Sequence, residues 1–432
     1  MMSASRVALY VLLLWPVTAL AGPPVESWQT TSGAKVMYVH APDLPILDVR
    51  VVFDAGSARD ADKPGLSTLT NALMTEGAGP WDADELAERL EDRGINLGRD
   101  ALRDMAYISI RSLTDSETMA VALDSLAKIL AEPRFDKADL ERQRQAMLAS
   151  LRRQQENPGS IASRDFYKLL YGGHPYAHDP LGDSASVAAL TSGDVAGFHE
   201  RFYVARNAVV AIVGDVDRSV AERIAEDLTI GLAEGEHAPV LPGVSEGTDR
   251  SARVEFDASQ THVRVGAPGM ARQDPDYFAL YVGNHILGGN GLVSTLSQEV
   301  REKRGLSYSV YSYFLPMRAP GPFLMGAQTR NDRADETLSV MREALSRFIE
   351  EGPDREELDA AKRNLTGGFP LRVSSNKKIV EYIAMMGFYD YPLDYLDTFV
   401  DKVNAVSAED VKRAFRARLD PSQLVVVTVG GA

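Results

Sequence analysis

Two continuous stretches rich in β-branched residues mark the most regular pattern in the chain. Ala208-Val209-Val210-Ala211-Ile212-Val213 and Leu424-Val425-Val426-Val427-Thr428-Val429 read as strands buried on both faces. Each follows an amphipathic segment with a helix-start signal, Thr191-Ser192-Gly193-Asp194-Val195 in one case and Ser407-Ala408-Glu409-Asp410-Val411 in the other. Asp194 and Asp410, Val195 and Val411, and Gly214 and Gly430 each stand 216 positions apart. The register slips inside the helix, where Phe198 falls opposite Ala414, one residue short of Phe415. The chain therefore contains an approximate internal repeat of helix, loop and central strand.

Weaker elements follow the same plan. Alternation predicts strands at 49–54 and 261–267, and three-to-four spacing predicts helices at 65–76 and 276–287. A second helix is expected after each, at 83–93 and 292–304. Residues 137–155 read as a long helix ending before Asn157-Pro158, and its counterpart at 355–364 runs into a Gly-Gly-Phe-Pro break. Residues 231–250 have the composition of a flexible linker. The expected fold is α+β. Two pseudo-symmetric halves, 22–230 and 251–432, each carry a mixed β-sheet packed with helices.

The length of 432 residues suits at least two domains, and 45% hydrophobic with 25% charged residues is ordinary for a globular protein. A net charge of −15 argues against nucleic acid and anionic membrane surfaces as partners. Residues 1–21 read as a secretory signal peptide: Arg6, an apolar run from Ala8 to Leu14, and small residues at Ala19-Leu20-Ala21. The apolar run is too short for a stable membrane span. With no cysteine, thiolate metal sites and disulfides are excluded. The seven histidines, His40, His174, His178, His199, His237, His262 and His285, offer one close pair, His174 and His178. Pro175 lies between them in loop-like sequence, so both read as hydrogen-bonded loop residues.

Gly65-Leu66-Ser67-Thr68-Leu69-Thr70-Asn71-Ala72-Leu73-Met74-Thr75-Glu76-Gly77 resembles the zinc-site helix of the pitrilysin/insulinase metallopeptidases. That family carries H-x-x-E-H on this helix, so that two histidines hold zinc and a glutamate serves as base. The matching positions here are Thr68, Asn71 and Ala72. The resemblance places the family's third ligand, a glutamate, at Ala149, upstream of Glu156-Asn157-Pro158. Thr68 is a poor ligand, Asn71 does not titrate, and Ala72 and Ala149 have no donor atom. The expectation is that this chain binds no metal and no other cofactor.

The resemblance also assigns roles in the second half. The family's C-terminal half supplies an arginine and a tyrosine seven residues apart, and Arg301 and Tyr308 match them within Glu299-Val300-Arg301-Glu302-Lys303-Arg304-Gly305-Leu306-Ser307-Tyr308. By that analogy Tyr308 donates to a peptide oxyanion and Arg301 to substrate carbonyls. Arg304 is the neighbouring candidate. Asn96-Leu97-Gly98-Arg99 resembles the family strand that a peptide joins by β-addition, which makes Asn96 and Arg99 candidate substrate contacts.

Three functions stay open on the sequence. The first is the non-zinc subunit of a two-chain periplasmic peptidase, acting on peptides with a homologous zinc-bearing subunit. The second is an inactive peptide-binding or scaffolding protein of the same fold. The third is a stand-alone zinc peptidase with a rearranged site.

Overall fold

The computed structural model describes residues 24–245 and 250–431. The signal peptide expected at 1–21 lies outside the described residues. The strands are β1 (Glu26–Gln29), β2 (Lys35–His40), β3 (Ile46–Phe53), the short hairpin β4 (Gly77–Ala78) and β5 (Trp81–Asp82), β6 (Asn96–Ala101), β7 (Ala106–Leu113), β8 (Ala208–Gly214), β9 (Arg250–Val254), β10 (Gln260–Pro268), β11 (Ser307–Phe314), β12 (Pro322–Arg330) and β13 (Val425–Val429). One sheet has the order β1-β2-β8-β3-β7-β6 and the other β9-β13-β10-β12-β11. β2 runs parallel to β8 and β9 parallel to β13, and the other pairs are antiparallel. Apart from the extra edge strand β1, the two sheets follow one plan, with the repeated strands β8 and β13 in equivalent positions.

The burial of β8 explains its sequence, since all seven residues are buried. The repeated glycines have a steric cause. A Cβ on Gly214 would stand 2.3 Å from the Ile46 carbonyl oxygen, and one on Gly430 would stand 2.7 Å from that of Gln260. Both lie where the neighbouring strand's backbone crosses close to the strand end.

Each half lends a helix to the other. Helix Pro158–Tyr171 is capped by Asn157, whose side chain accepts from Ser160 N at 2.9 Å. It packs on β10 and β13, and Ile161, Phe166 and Leu170 share a core with Leu324, Val425 and Val427. Helix Asn376–Phe388, capped by Ser375, lies against β2, β3 and β8. There Ile383 and Met386 share a core with Met37, Val52 and Val209.

Polar groups fasten the same seam. Asp104 is 3% exposed. Its carboxylate accepts from the Tyr176 hydroxyl, from the Tyr389 hydroxyl at 2.8 Å and from Arg318 N at 2.7 Å. Burial and this carboxylate push both tyrosine pKa values well up. Lys35 pairs with Asp390 and donates to the Gly387 carbonyl at 3.2 Å. The segment read as a flexible linker is tied down over its first part. Arg59 donates to the Pro239 carbonyl at 2.6 Å, and Ala238 N donates to the Asn207 side chain at 3.1 Å.

Several helix bounds differ from the sequence expectation. Helix Lys137–Gln155 has the expected ends. Its counterpart does not break at Gly-Gly-Phe-Pro but continues as Arg355–Arg372. Phe369 holds it there by stacking on Phe399 with centroids 4.4 Å apart. The helix expected at 276–287 is α-helical over Tyr277–Asn284 and π-helical over His285–Gly289. That expected at 292–304 is a short 3-10 turn followed by a π-helical turn, Ser297–Glu302. No helix among the described residues is long and apolar enough to cross a membrane.

Candidate functional site

The helix with the vacant ligand positions, Leu66–Leu73, is anchored from outside itself. Buried Asp60 accepts from Gly65 N and Ser67 N, each at 2.8 Å, and so caps the helix start. Burial pushes the Asp60 carboxyl above the usual carboxylate range, against the pull of His178 and the two N–H groups. His178 donates to the Ser57 carbonyl at 2.9 Å. His174 donates to the Pro242 carbonyl at 3.0 Å and accepts from Tyr176 N at 3.1 Å. Both histidines are therefore engaged in loop hydrogen bonds.

The four positions are filled by groups turned to other uses. Thr68 donates to the Pro180 carbonyl at 2.6 Å. Asn71 is buried and donates from Nδ2 to the Tyr107 carbonyl at 3.2 Å and to the Tyr203 hydroxyl at 3.4 Å. Tyr203 in turn stacks on His199, centroids 5.3 Å apart, and burial keeps that histidine's pKa low. Ala72 is buried and Ala149 half-buried. Glu76, just past the helix, pairs with Arg142 and accepts from Gln143 at 2.7 Å, which joins it to helix Lys137–Gln155. Among the described residues no three His, Cys, Asp or Glu side chains gather as a metal-binding group. These residues do not fit a catalytic zinc, which needs three protein donors.

Arg301 and Tyr308 come together. The Arg301 guanidinium lies 4.6 Å from the centroid of the Tyr308 ring. Arg301 is the penultimate residue of the π-helical turn Ser297–Glu302, and Tyr308 stands near the start of the edge strand β11. The pairing of β11 with β12 shifts between Ser307 and Ser309, so Tyr308 is the extra residue of a β-bulge. Bulges re-aim side chains, and Tyr308 is 83% exposed. Ser307 clamps the bulge: its hydroxyl lies 2.7 Å from the Ser309 carbonyl and 2.6 Å from that of Gln328.

Arg304 is committed elsewhere. It donates to Glu299 at 2.6 Å, and Lys303 and Arg347 bond the same carboxylate at 2.9 and 2.8 Å. Lys303 first, then Arg304 and Arg347, hold the Glu299 pKa down at about 2. Neither the bulge nor this cluster was identified from the sequence. The Ser-Tyr-Ser flanks and the excess of cations around Glu299 were the only signals.

The edge strand β6 pairs only with β7 among the described residues. Asn96 and Arg99 are exposed but lie three positions apart, so they face opposite sides of the sheet. Arg99 donates to Thr75 at 2.9 Å, on the side of the vacant helix.

The description "Insulinase (Peptidase family M16)" belongs to the family model that matches residues 35–183, and "Peptidase M16 inactive domain" to the one that matches residues 189–365. An uncharacterised zinc protease of Mycobacterium tuberculosis is 32% identical over 399 residues, spanning 89% of this chain and 90% of that relative. A non-peptidase homologue from Helicobacter pylori is 26% identical over 411 residues, spanning 93% of each. The crystal structure of a peptidase M16 inactive domain from Pseudomonas fluorescens is similar with a TM-score of 0.92 and 40% identity, over 94% of this chain and 98% of that one. The chain belongs to the insulinase family of peptidases, M16, as a member whose zinc-motif positions carry neither ligand nor base.

Proposed function

We propose that this chain is the non-zinc subunit of a two-chain, periplasmic peptidase, working with a separate homologous subunit that bears the zinc. One observation carries the reading. The metal positions are filled by Thr68, Asn71, Ala72 and Ala149, while the half-buried Arg301 guanidinium lies against the exposed ring of Tyr308 on its clamped bulge. A tyrosine that served only the core would be buried. Tyr308 instead presents its hydroxyl outward, where it can donate to the oxyanion that forms as a peptide carbonyl is attacked in the partner's site. Arg301 supplies further donors to substrate carbonyls, and the free edge of β6 offers backbone groups to an extended peptide.

The test is reconstitution with the zinc-bearing homologue. The chain alone is expected to be inactive. Tyr308→Phe should lower turnover of the assembled pair by about 10²-fold with assembly intact. Unchanged turnover removes the proposed role. The name of the Helicobacter relative favours a second reading, an inactive peptide-binding or scaffolding protein. It predicts peptide binding or assembly with no peptidase activity in either state.

A further inference from the structure

A cleft of about 370 Å³ opens beside the free edge of β6, roofed by the start of helix Asn376–Phe388 from the other half. Its floor is a row across three strands. Gly98 pairs with Ser109 and Asn96 with Arg111, and across β7 those two residues pair with Arg50 and Asp48. Gly98 has no side chain, so the floor is open at the edge where a peptide would lie.

The charges in this cleft are unevenly matched. Arg111 binds Asp48 through two bonds of 2.9 Å, which cancels that pair. Arg50 lies 3.9 Å over the Tyr107 ring, a contact that fixes its guanidinium. Its Nη2 reaches half-exposed Glu381 at 3.3 Å, and its Nε is buried beneath the cleft with no partner among the described residues. Lys377 enters from the roof, exposed, with no ion pair among the described residues. Among the lining residues Arg50 and Lys377 are thus two positive charges beyond the cancelled pair, with Glu381 and Asp100 at the cleft's margins, on a chain of net charge −15. Arg50 and Lys377 are donors only, so the group that completes them is an acceptor with negative charge.

We infer that the Arg50–Lys377 cleft is a specificity pocket for a carboxylate on a peptide paired along β6. The inference rests on β6 as a peptide-pairing edge, as proposed above. Side chains of an added strand alternate between faces, so every second one would face this cleft. The carboxylate can come from an acidic side chain or from the peptide's C-terminus.

The experiment measures binding of fluorescein-labelled, seven-residue extended peptides to the full chain by anisotropy. Glu replaces Gln at each position in turn, and every peptide is made as free acid and as amide. Glu at one or two positions, or the free acid alone, should bind about tenfold more tightly than its neutral counterpart. The first outcome assigns the pocket to side chains and the second to the C-terminus. The double variant Arg50→Met, Lys377→Met should lose the preference and keep its affinity for neutral peptides within about twofold. Lys377→Met alone, at an exposed site, should reduce the preference to about threefold without a folding defect. Equal binding of acidic and neutral peptides, or a preference that survives both substitutions, overturns the pocket. Binding of no peptide in the set overturns the β6 reading as well.

Discussion

Replacing Asp104 by alanine should loosen the seam between the halves. The substitution removes the acceptor for two tyrosine hydroxyls, Tyr176 and Tyr389, and for Arg318 N. A buried donor left without an acceptor costs about 1–3 kcal/mol, so three give an upper range of about 3–9 kcal/mol. One effect reduces it: removing the buried carboxylate recovers its desolvation cost. A loss of about 3–5 kcal/mol remains. Asp104→Asn keeps the shape and one acceptor and should lose about half as much.

Denaturation followed by fluorescence of Trp28 and Trp81 reports on the first half, and circular dichroism reports on the whole chain. Hydrogen exchange at helices Pro158–Tyr171 and Asn376–Phe388 gives the local answer: both should exchange faster in the variant, because each is held by the half that Asp104 joins to its own. A loss below about 1 kcal/mol, with exchange unchanged in both helices, would refute the staple.

Glu299→Gln should destabilise the protein at pH 7. The folded-state pKa is depressed to about 2, so the carboxylate's contribution is fully present above its unfolded value of roughly 4.3 and is lost as pH falls towards 2. Denaturation midpoints of the two proteins should converge over that window, and a pH-independent gap would contradict it. Gly214→Ala should cost more than about 2 kcal/mol because its Cβ would sit 2.3 Å from the Ile46 carbonyl oxygen; a thermal scan near wild type would count against this. Phe166→Ala should cost about 3–5 kcal/mol, since the ring is fully buried between its helix and the other half's sheet. Metal analysis of the purified chain should find no stoichiometric zinc, and a chelatable equivalent coupled to activity would restore the stand-alone peptidase reading.

The strands and the repeat were readable because they depend on short-range pattern. β8 and β13 are β-branched runs, and the glycine after each meets the same steric demand in both halves. Helix Lys137–Gln155 was readable because Asn157-Pro158 stops it. The exchange of helices was not, since amphipathicity tells which face of Pro158–Tyr171 is apolar but not which sheet will cover it. Packing also overrode local signals at Gly367-Gly368-Phe369-Pro370, where the stack of Phe369 on Phe399 outweighs weak helix formers. At the candidate site the vacant positions were plain from residue type. The exposure of Tyr308 was hidden, because it follows from a one-residue register shift that no composition records.

The exchanged helices change what the connector is for. A protein whose halves met only across a flat surface would depend on residues 231–250 to stay whole. Here each half is completed by a piece of the other, so a cut in the connector should yield two fragments that stay together through size-exclusion chromatography. In that case the covalent link sets stoichiometry and the order of synthesis, and cohesion belongs to the helices. The chain would then be one indivisible body, and any opening that admits a peptide would take place at its border with another molecule.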